Sequence, residues 1–444
     1  MLPETAAIHA GYDIDKTTRA IAVPIYQTVS YGFESADHAA ALFNLEEDGY
    51  RYGRISNPTT AVLERRVAAL EGGLDALCVA SGQAAIYFAV LNLAEAGRNI
   101  VTIAQLYGTT HTMFAHLFAG MGIEVRFAPN GDPAEIARLI DENTRAIYCE
   151  SVGNPAGNIV DIAALAELAH ANHMPLLVDN TVATPLLLRP IELGADIVIQ
   201  SLTKFLGGHG TTLGGAIVDG GNFPWACYAD RYPMFSRKDE SYHGLVYTEH
   251  FGENAYLGRC RSVFLRTIGA TLPPLSSFLL LQGIESVAVR MDRHVDNARE
   301  VAKFLAADPR VASLNYSGFP DSPYYDLVQR QLGGRAPSLL TFELRGGYAA
   351  GVRFYDALKL IRRVVNLGDS KSLACHPAST THRQMTPEEQ RKAGITQGTM
   401  RLSIGIEHIK DIIGDIAQAL AASEEITQAG PNRSAFPMPI GKVA

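Results

Sequence analysis

A chain of 444 residues, 47% of them apolar and 19% charged, is long enough for one large or two ordinary domains with complete hydrophobic cores. The formal net charge of -8 argues against a nucleic-acid or anionic-membrane surface, and no apolar run reaches the ~20 residues of a membrane span. The 5 scattered cysteines form no CxxC pair and the N-terminus lacks a signal-peptide pattern, so we expect reduced thiols in a cytoplasmic protein.

Helical and strand patterns alternate regularly from about residue 56, after an N-terminal arm (1–50) that contains a short helix. Asn57 is predicted to cap a helix that begins at Pro58 and ends near Gly72. Further strands are predicted at 75–80, 99–104, 123–128, 145–150, 175–180 and 196–201, and further helices at 81–97, 109–120, 132–144 and 161–173. The strands are continuous apolar runs, which favours a large α/β domain with a mostly parallel sheet.

The pattern changes after about residue 270. Residues 273–309 predict a long helix, continuous or broken, and 338–344 and 400–407 predict strands. A last helix is predicted at 408–422, where isoleucines recur at helical spacing. We therefore expect three parts, which are an arm (1–50), an α/β domain (51–270) and a smaller C-terminal α+β domain (271–444).

Polar or aromatic residues follow five of the predicted strands. Because ligands bind at the carboxyl ends of strands in an open parallel sheet, we expect these residues to converge. They are Ser81-Gly82-Gln83, Tyr107, Glu150 to Asn154, Asp179 to Thr181, and Ser201 to Lys204.

Ser81-Gly82-Gln83 opens a predicted helix, where free backbone amides and the helix dipole favour a phosphate. The hydroxyls of Ser201 and Thr203 suit the same ligand. The alternative interpretation of the tripeptide is an ordinary serine N-cap.

Asp179 and Lys204 are the candidate charged groups of this site. A carboxylate at a dry strand end needs a cationic partner, and a protonated pyridine nitrogen would serve, although a structural salt bridge or a cap is the alternative. Lys204 stands beside a glycine-rich stretch, where desolvation would lower its pKa and make its amine nucleophilic. A solvated surface lysine is the alternative.

Two further side chains are candidates for the same chemistry. Tyr107 could stack on an aromatic cofactor, or be an ordinary core tyrosine. Arg401 lies on a predicted strand and could hold a substrate carboxylate with two hydrogen bonds, or form a structural ion pair. No Walker lysine motif or helix-opening dinucleotide fingerprint is present. The loop histidines lack metal-ligand spacing and no metal is assigned; they are His209, His243, His250, His376 and His382.

The order of these segments along the chain is more specific than any one of them. They are YRYGRISNPT (50–59), SGQAA (81–85), LYGTT (106–110), ESVGNPAG (150–157), VDNTVATP (178–185), SLTKFLGGHG (201–210), NLGDSKSLACHPASTTH (366–382) and MRLSIGIEH (400–408). The series resembles the Cys/Met-metabolism family of pyridoxal 5'-phosphate (PLP) enzymes over residues 5–425. The resemblance implies a fold-type I, aspartate-aminotransferase-like fold.

The resemblance also implies roles for individual residues. Lys204 would carry PLP as a Schiff base and move protons between Cα, Cβ and Cγ of the substrate. Asp179 would face the pyridine nitrogen, Tyr107 would stack on the ring, and Asn154 would lie near the phenolic oxygen. The remaining cofactor-binding residues from the same chain would be Gly82, Gln83, Thr181, Ser201 and Thr203.

Two other pairs match residues of the family. Tyr52 and Arg54 match a pair that reaches the phosphate in a neighbouring subunit, which implies a homotetramer made of two dimers with shared active sites. Arg401 matches the residue that binds the α-carboxylate, with Asn366 beside it.

Within the family the chain is most similar to O-acetylhomoserine sulfhydrylases. The aromatic insertion at 221–247 and the segment around 366–382 favour that group, while Thr109 departs from the cysteine typical of methionine γ-lyases. The expected reaction joins O-acetyl-L-homoserine and sulfide to form L-homocysteine and acetate, in methionine biosynthesis. The alternatives are a methionine γ-lyase or a cystathionine γ-synthase-type reaction, a nucleotide-binding dehydrogenase without PLP, and an inactive paralogue.

Overall fold

The computed structural model describes residues 1–380 and 396–424, so His382 and the tail from Ala429 lie outside the described residues. The strands are β1 (Asp75–Val79), β2 (Asn99–Ile103), β3 (Glu124–Ala128), β4 (Thr144–Glu150), β5 (Leu176–Asp179), β6 (Ile197–Gln200), β7 (Gly215–Asp219), β8 (Val311–Asn315), β9 (Leu339–Leu344), β10 (Arg362–Arg363), β11 (Leu373–Cys375) and β12 (Thr399–Ser403).

The α-helices occur in both halves of the chain. They are α1 (Pro3–His9), α2 (Ala36–Phe43), α3 (Pro58–Glu71), α4 (Gly82–Leu91), α5 (Gly108–Thr112), α6 (Pro133–Ala137), α7 (Ile162–Ala171), α8 (Thr184–Leu187), α9 (Pro233–Ser236), α10 (Tyr247–His250), α11 (Ala255–Arg259), α12 (Arg266–Ile268), α13 (Pro274–Glu285), α14 (Val287–Ala306), α15 (Tyr325–Gln331), α16 (Gly347–Ala357) and α17 (Ile409–Glu424). No helix among the described residues combines the length and apolarity needed to cross a membrane.

A seven-stranded sheet, in the order β1-β7-β6-β5-β4-β2-β3, forms the centre of the larger half. The strands from β6 to β3 pair in parallel, as expected, and their side chains are mostly buried on both faces. The sequence analysis did not predict β7, which lies between β1 and β6 and is antiparallel to both. Its short GAIVD run is flanked by glycines, so tertiary pairing rather than periodicity defines it.

Helix capping explains which predicted boundaries are right. Asn57 accepts the Thr59 amide at 2.9 Å, and Gly72 ends α3 in the left-handed region, both as predicted. Helices α4 and α6 are shorter than predicted, since they end at Leu91 and Ala137. The helix after Tyr107 continues as a π-helical segment at Met113–Phe118, within the predicted range.

The smaller half contains a five-stranded sheet in the order β10-β11-β12-β9-β8. The long predicted helix is two helices, α13 and α14, broken at Ser286. Helix α14 packs against α17 and also contacts the turn that follows β6. These contacts bring the small sheet to the carboxyl edge of the large one.

Candidate active site

A cavity of about 190 Å³ lies at the carboxyl edge of the parallel strands, where the two sheets meet. All five predicted strand ends contribute to its wall, so the expectation that they converge is confirmed. The lining residues are Ser81, Gly82, Gln83, Ile86, Tyr107, Glu150, Val152, Asn154, Asp179, Thr181, Val182, Ser201, Thr203, Lys204, Leu213, Val365, Asn366, Leu367 and Arg401.

Lys204 stands in the turn that follows β6, and its Nζ donates to Oδ1 of Asn366 at 2.6 Å. Burial, together with the smaller effect of the positive charge of Arg401, lowers the pKa of this amine from 10.5 to about 8. Such a shift raises the fraction of neutral amine at pH 7 roughly 300-fold. The structure therefore places a buried lysine with a lowered pKa here rather than a solvated one.

The Lys204 turn is held from behind by a buried arginine that sequence reasoning missed. Arg290 of α14 donates to the carbonyl oxygens of Phe205 at 2.7 Å and Leu206 at 3.0 Å, and to that of Gly283 at 2.7 Å. Burial lowers its pKa to about 10. An arginine within a long helical pattern gives no sequence signal for this contact, because the turn lies 84 residues away from it.

Asp179 and Glu150 lie side by side as the last residues of the adjacent strands β5 and β4. Within the described part of the chain, the Asp179 carboxylate accepts the Thr181 amide at 3.0 Å, and no cationic neighbour lowers its pKa. Burial raises the pKa of both carboxyl groups, and the charge of Asp179 raises that of Glu150 further. A pyridinium-type cation in the cavity would relieve this electrostatic cost at Asp179.

Glu150 also positions the cavity wall on its other side. Its Oε1 accepts the amide of Tyr107 at 2.7 Å and its Oε2 accepts the amide of Asn154 at 3.2 Å. Tyr107 is the N-cap residue of α5. The sequence analysis placed Glu150 at a strand end but assigned it no role, because nothing in the residue pattern indicates which amides it would reach.

The opening of α4 supplies a cradle suited to an anion. Ser81 accepts the amides of Ala84 and Ala85, whereas the amides of Gly82 and Gln83 belong to the first turn, which has no intrahelical acceptor. A Cβ on Gly82 would lie 2.7 Å from Cβ of Ser201, so the close approach of the two strand ends requires glycine.

Two threonines hold the other side of this cradle. Thr181 Oγ1 accepts the amide of Ser201 at 2.8 Å, which joins the ends of β5 and β6. The Thr203 hydroxyl accepts the Gly214 amide at 3.0 Å and donates to the Gly214 carbonyl at 3.2 Å. Together with Lys204 and Asp179, these residues match the groups of PLP. The cradle suits its phosphate, the Lys204 amine suits its aldehyde carbon, and the Asp179 carboxylate suits its protonated ring nitrogen.

Arg401 of β12 reaches the cavity from the small sheet and is only 5% exposed. Its Nη1 donates to Oδ1 of Asn154 at 2.9 Å and its Nη2 donates to the carbonyl of Asn366 at 2.7 Å. The Nε–H is buried and has no acceptor among residues 1–380 and 396–424. An unpaired donor on a buried guanidinium suits a carboxylate ligand.

Tyr52 and Arg54 do not line the cavity of their own chain. Arg54 donates to the carbonyl of Arg266 and its guanidinium carbon lies 5.3 Å from the centre of the Tyr52 ring, which is 42% exposed. Residues 221–247 do not line the cavity either, because their aromatic side chains pack into the core, where Trp225 stacks on Tyr256 at 5.3 Å. Any influence of this insertion on substrate choice within one chain is therefore indirect.

Comparisons with known proteins agree with this geometry. The chain is 48% identical to O-acetyl-L-homoserine sulfhydrylase 1 of Thermus thermophilus over 94% of this chain and 99% of that protein. It is 46% identical to a homocysteine synthase of Schizosaccharomyces pombe, over 94% of this chain and 97% of that protein.

A solved structure from Campylobacter jejuni, described as an O-acetylhomoserine (thiol)-lyase with N'-pyridoxyl-lysine-5'-monophosphate, superposes with a TM-score of 0.91. It is 42% identical, and the match covers 94% of this chain and 99% of that one, which confirms the predicted fold-type I architecture. The sequence profile of the Cys/Met metabolism PLP-dependent enzymes matches residues 4–421. The chain belongs to the Cys/Met metabolism PLP-dependent enzyme family.

Proposed function

We propose that this chain is a PLP-dependent transferase that exchanges the acetate group of O-acetyl-L-homoserine for sulfide and so forms L-homocysteine, a step of methionine biosynthesis. The Cγ–O bond of the substrate breaks, a Cγ–S bond forms, and acetate leaves with the electron pair. The observation that carries the proposal is the contact of Lys204 and Arg401 with one residue, Asn366, in the cavity that Asp179 also lines.

The polar side chains of the cavity have separable roles in this proposal. Asp179 would hold the pyridine nitrogen of PLP, Tyr107 would stack on the ring, and Asn154 would bind near the phenolic oxygen. When bound, PLP supplies an electron sink for the negative charge that develops at Cα. The first turn of α4 and the ends of β5 and β6 would hold the phosphate, through Gly82, Gln83, Thr181, Ser201 and Thr203.

Lys204 and Arg401 act on the substrate itself. Arg401 binds the α-carboxylate through its Nε–H and a remaining Nη–H, which orients the Cα–H bond toward the lysine. Lys204 Nζ then accepts the Cα proton and moves protons at Cβ. An amine whose pKa is lowered to about 8 is suited to this work, since both of its protonation states are populated near neutral pH.

We propose that two chains complete each site and that two such dimers form a tetramer. Tyr52 and Arg54 would reach the phosphate bound by the neighbouring chain, which agrees with their place outside their own cavity. The first 52 residues also carry many exposed apolar side chains, which a second copy could cover. They are Met1, Leu2, Ile8, Ile14, Ile21, Ile25, Tyr26, Val29, Phe33, Phe43 and Tyr52.

We further propose that residues 51–270 and 271–444 are separate domains behind an N-terminal arm of residues 1–50. The support is that each sheet is built from one of the two segments, with β1–β7 between 75 and 219 and β8–β12 between 311 and 403. The five cysteines are unpaired, which supports a reducing, cytoplasmic location.

Product analysis tests the reaction. Purified protein with PLP, O-acetyl-L-homoserine and sulfide should form homocysteine and acetate in equal amounts, and omission of sulfide should abolish homocysteine. The Lys204→Ala variant is the matched control and should form neither. Faster release of 2-oxobutanoate from methionine would replace the proposal with a lyase, and no turnover of either amino acid would overturn it.

A further inference from the structure

We propose that Glu150 is a positioning residue that holds the ring-stacking wall and the carboxylate-binding arginine in register with Lys204. The inference rests on the proposed function, because it assigns Glu150 a task in PLP and substrate binding within that cavity. Glu150 contacts neither the Lys204 amine nor the Arg401 guanidinium directly, and it acts on both through the backbone of two loops.

The first contact is with Tyr107. Glu150 Oε1 accepts the Tyr107 amide at 2.7 Å, and this amide belongs to the N-cap residue of α5, where the backbone is not yet helical. The side chain of Tyr107 has no capping hydrogen bond of its own. The Glu150 carboxylate therefore anchors the residue whose ring forms one wall of the cavity, and it does so from the neighbouring strand end.

The second contact begins a continuous series of hydrogen bonds. Glu150 Oε2 accepts the Asn154 amide at 3.2 Å, and Asn154 Oδ1 accepts Nη1 of Arg401 at 2.9 Å. Arg401 Nη2 donates to the Asn366 carbonyl at 2.7 Å, and Asn366 Oδ1 accepts Nζ of Lys204 at 2.6 Å. The series runs from β4 of the large sheet to β12 of the small one and back to the turn after β6.

A carboxylate is the only side chain of this length that can accept both amides. Glutamine has one carbonyl oxygen, so one amide would face an NH2 group and two donors would oppose each other. Alanine would leave two buried amides unpaired, and aspartate is one methylene shorter and cannot span the same two donors. The geometry thus calls for two acceptor oxygens beside Asp179, at a position where burial and the charge of Asp179 raise the pKa of the Glu150 carboxyl group.

Glu150 differs from a buried carboxylate that only accepts hydrogen bonds from buried donors and has no link to the cavity. Asp196 is such a carboxylate. Asp196, at the opposite end of the same sheet, accepts the Leu176 amide at 2.8 Å and contacts His170 at 2.9 Å. It is not among the residues that line the cavity. It is buried to a similar degree as Glu150, with 1% against 5% exposure. Asp196→Asn is therefore a matched control for loss of a buried carboxylate.

The test compares wild-type protein, Glu150→Gln and Asp196→Asn by two measurements. Equilibrium titration of cofactor-free protein with PLP gives the Kd for PLP, which depends on the cavity wall formed by Tyr107. Steady-state kinetics give KM for O-acetylhomoserine. We expect Glu150→Gln to weaken PLP binding and to raise KM, each on the order of 10-fold or more. Asp196→Asn should lower thermal stability while changing neither quantity by more than about twofold.

A double-mutant cycle separates positioning from general destabilisation. Asn154→Ala already breaks the connection to Arg401, so Glu150→Gln should raise KM much less in that background than in wild type. If the fold-increases in KM caused by Glu150→Gln and Asn154→Ala simply multiply in the double variant, the connection from Glu150 through Asn154 to Arg401 is refuted. If Glu150→Gln does not fold, Glu150→Asp enters the same comparison, with the same expected weakening.

The outcomes distinguish this inference from the proposed function. Wild-type protein that fails to bind PLP or to form homocysteine overturns the proposed function itself. Wild-type protein that does both, while Glu150→Gln retains its PLP affinity and KM, overturns the positioning role alone. Equal effects of Glu150→Gln and Asp196→Asn on both quantities would also overturn it.

Discussion

Replacing Arg401 with lysine should separate the geometry of carboxylate recognition from its charge. A guanidinium has five N–H donors, of which one binds Asn154 and one binds Asn366. The buried Nε–H and a neighbouring Nη–H remain for the α-carboxylate. A lysine ammonium has three donors on one atom, so it cannot keep both asparagine contacts and also offer two parallel bonds.

The magnitude follows from the lost contacts. A hydrogen bond to a charged group contributes about 1.5–3 kcal/mol, so loss of one such bond should raise KM for O-acetylhomoserine roughly 10- to 150-fold. PLP binding should change little, because Arg401 approaches from the small sheet and the phosphate cradle lies on α4. The measurement is KM and kcat at saturating sulfide, with cofactor content checked by visible absorption.

Two controls sharpen this experiment. Arg66→Lys removes another buried guanidinium, one that donates to the Ala10 carbonyl at 2.9 Å outside the cavity, and it should leave KM unchanged. A substrate analogue with an α-carboxamide in place of the carboxylate should bind wild-type protein poorly. It should bind the Arg401→Lys variant no more weakly than it binds the wild type. An unaltered KM in Arg401→Lys, or binding of the carboxamide by wild-type protein as tightly as the carboxylate, would refute the assignment of Arg401.

Three further predictions follow from the cavity. In cofactor-free protein, the rate at which an amine-reactive reagent labels Lys204 should have its midpoint at a pH of about 8 rather than near 10.5, because the lowered pKa makes the amine neutral at lower pH. Arg401→Met should raise this midpoint, since it removes a positive charge near the amine. A wild-type midpoint near 10.5 would contradict the lowered pKa. Arg290→Met should lower the free energy of unfolding of the cofactor-free protein by about 3 kcal/mol in urea titrations, because three backbone carbonyls lose their donor, and a change below ~1 kcal/mol would contradict the clamp. Mixed oligomers of Lys204→Ala and Arg54→Ala chains should recover up to about half the activity per dimer if sites are shared. Mixed dimers that form without any recovery would show that Arg54 acts only within its own chain.

Local sequence patterns were sufficient for much of the large sheet. The strand runs at 99–104 and 145–150 are mostly apolar because both faces of these parallel strands are covered, and this pattern can be recognised without knowledge of the partner strands. Asn57 and Gly72 likewise mark the ends of α3 through their own backbone and side-chain preferences. The antiparallel β7 gave no such signal, since its five residues owe their conformation to pairing with β1 and β6.

The sequence alone therefore determined which residues stand at the strand ends, because connections in an open parallel sheet place those ends at one edge. It thereby predicted that Lys204, Asp179 and Tyr107 would share a site. Only the tertiary structure decided that Asn366, which is 162 residues from Lys204 in the chain, joins Lys204 to Arg401, and that Glu150 accepts two backbone amides. Such contacts depend on the packing of two sheets and on side-chain direction, which no local pattern of residues records.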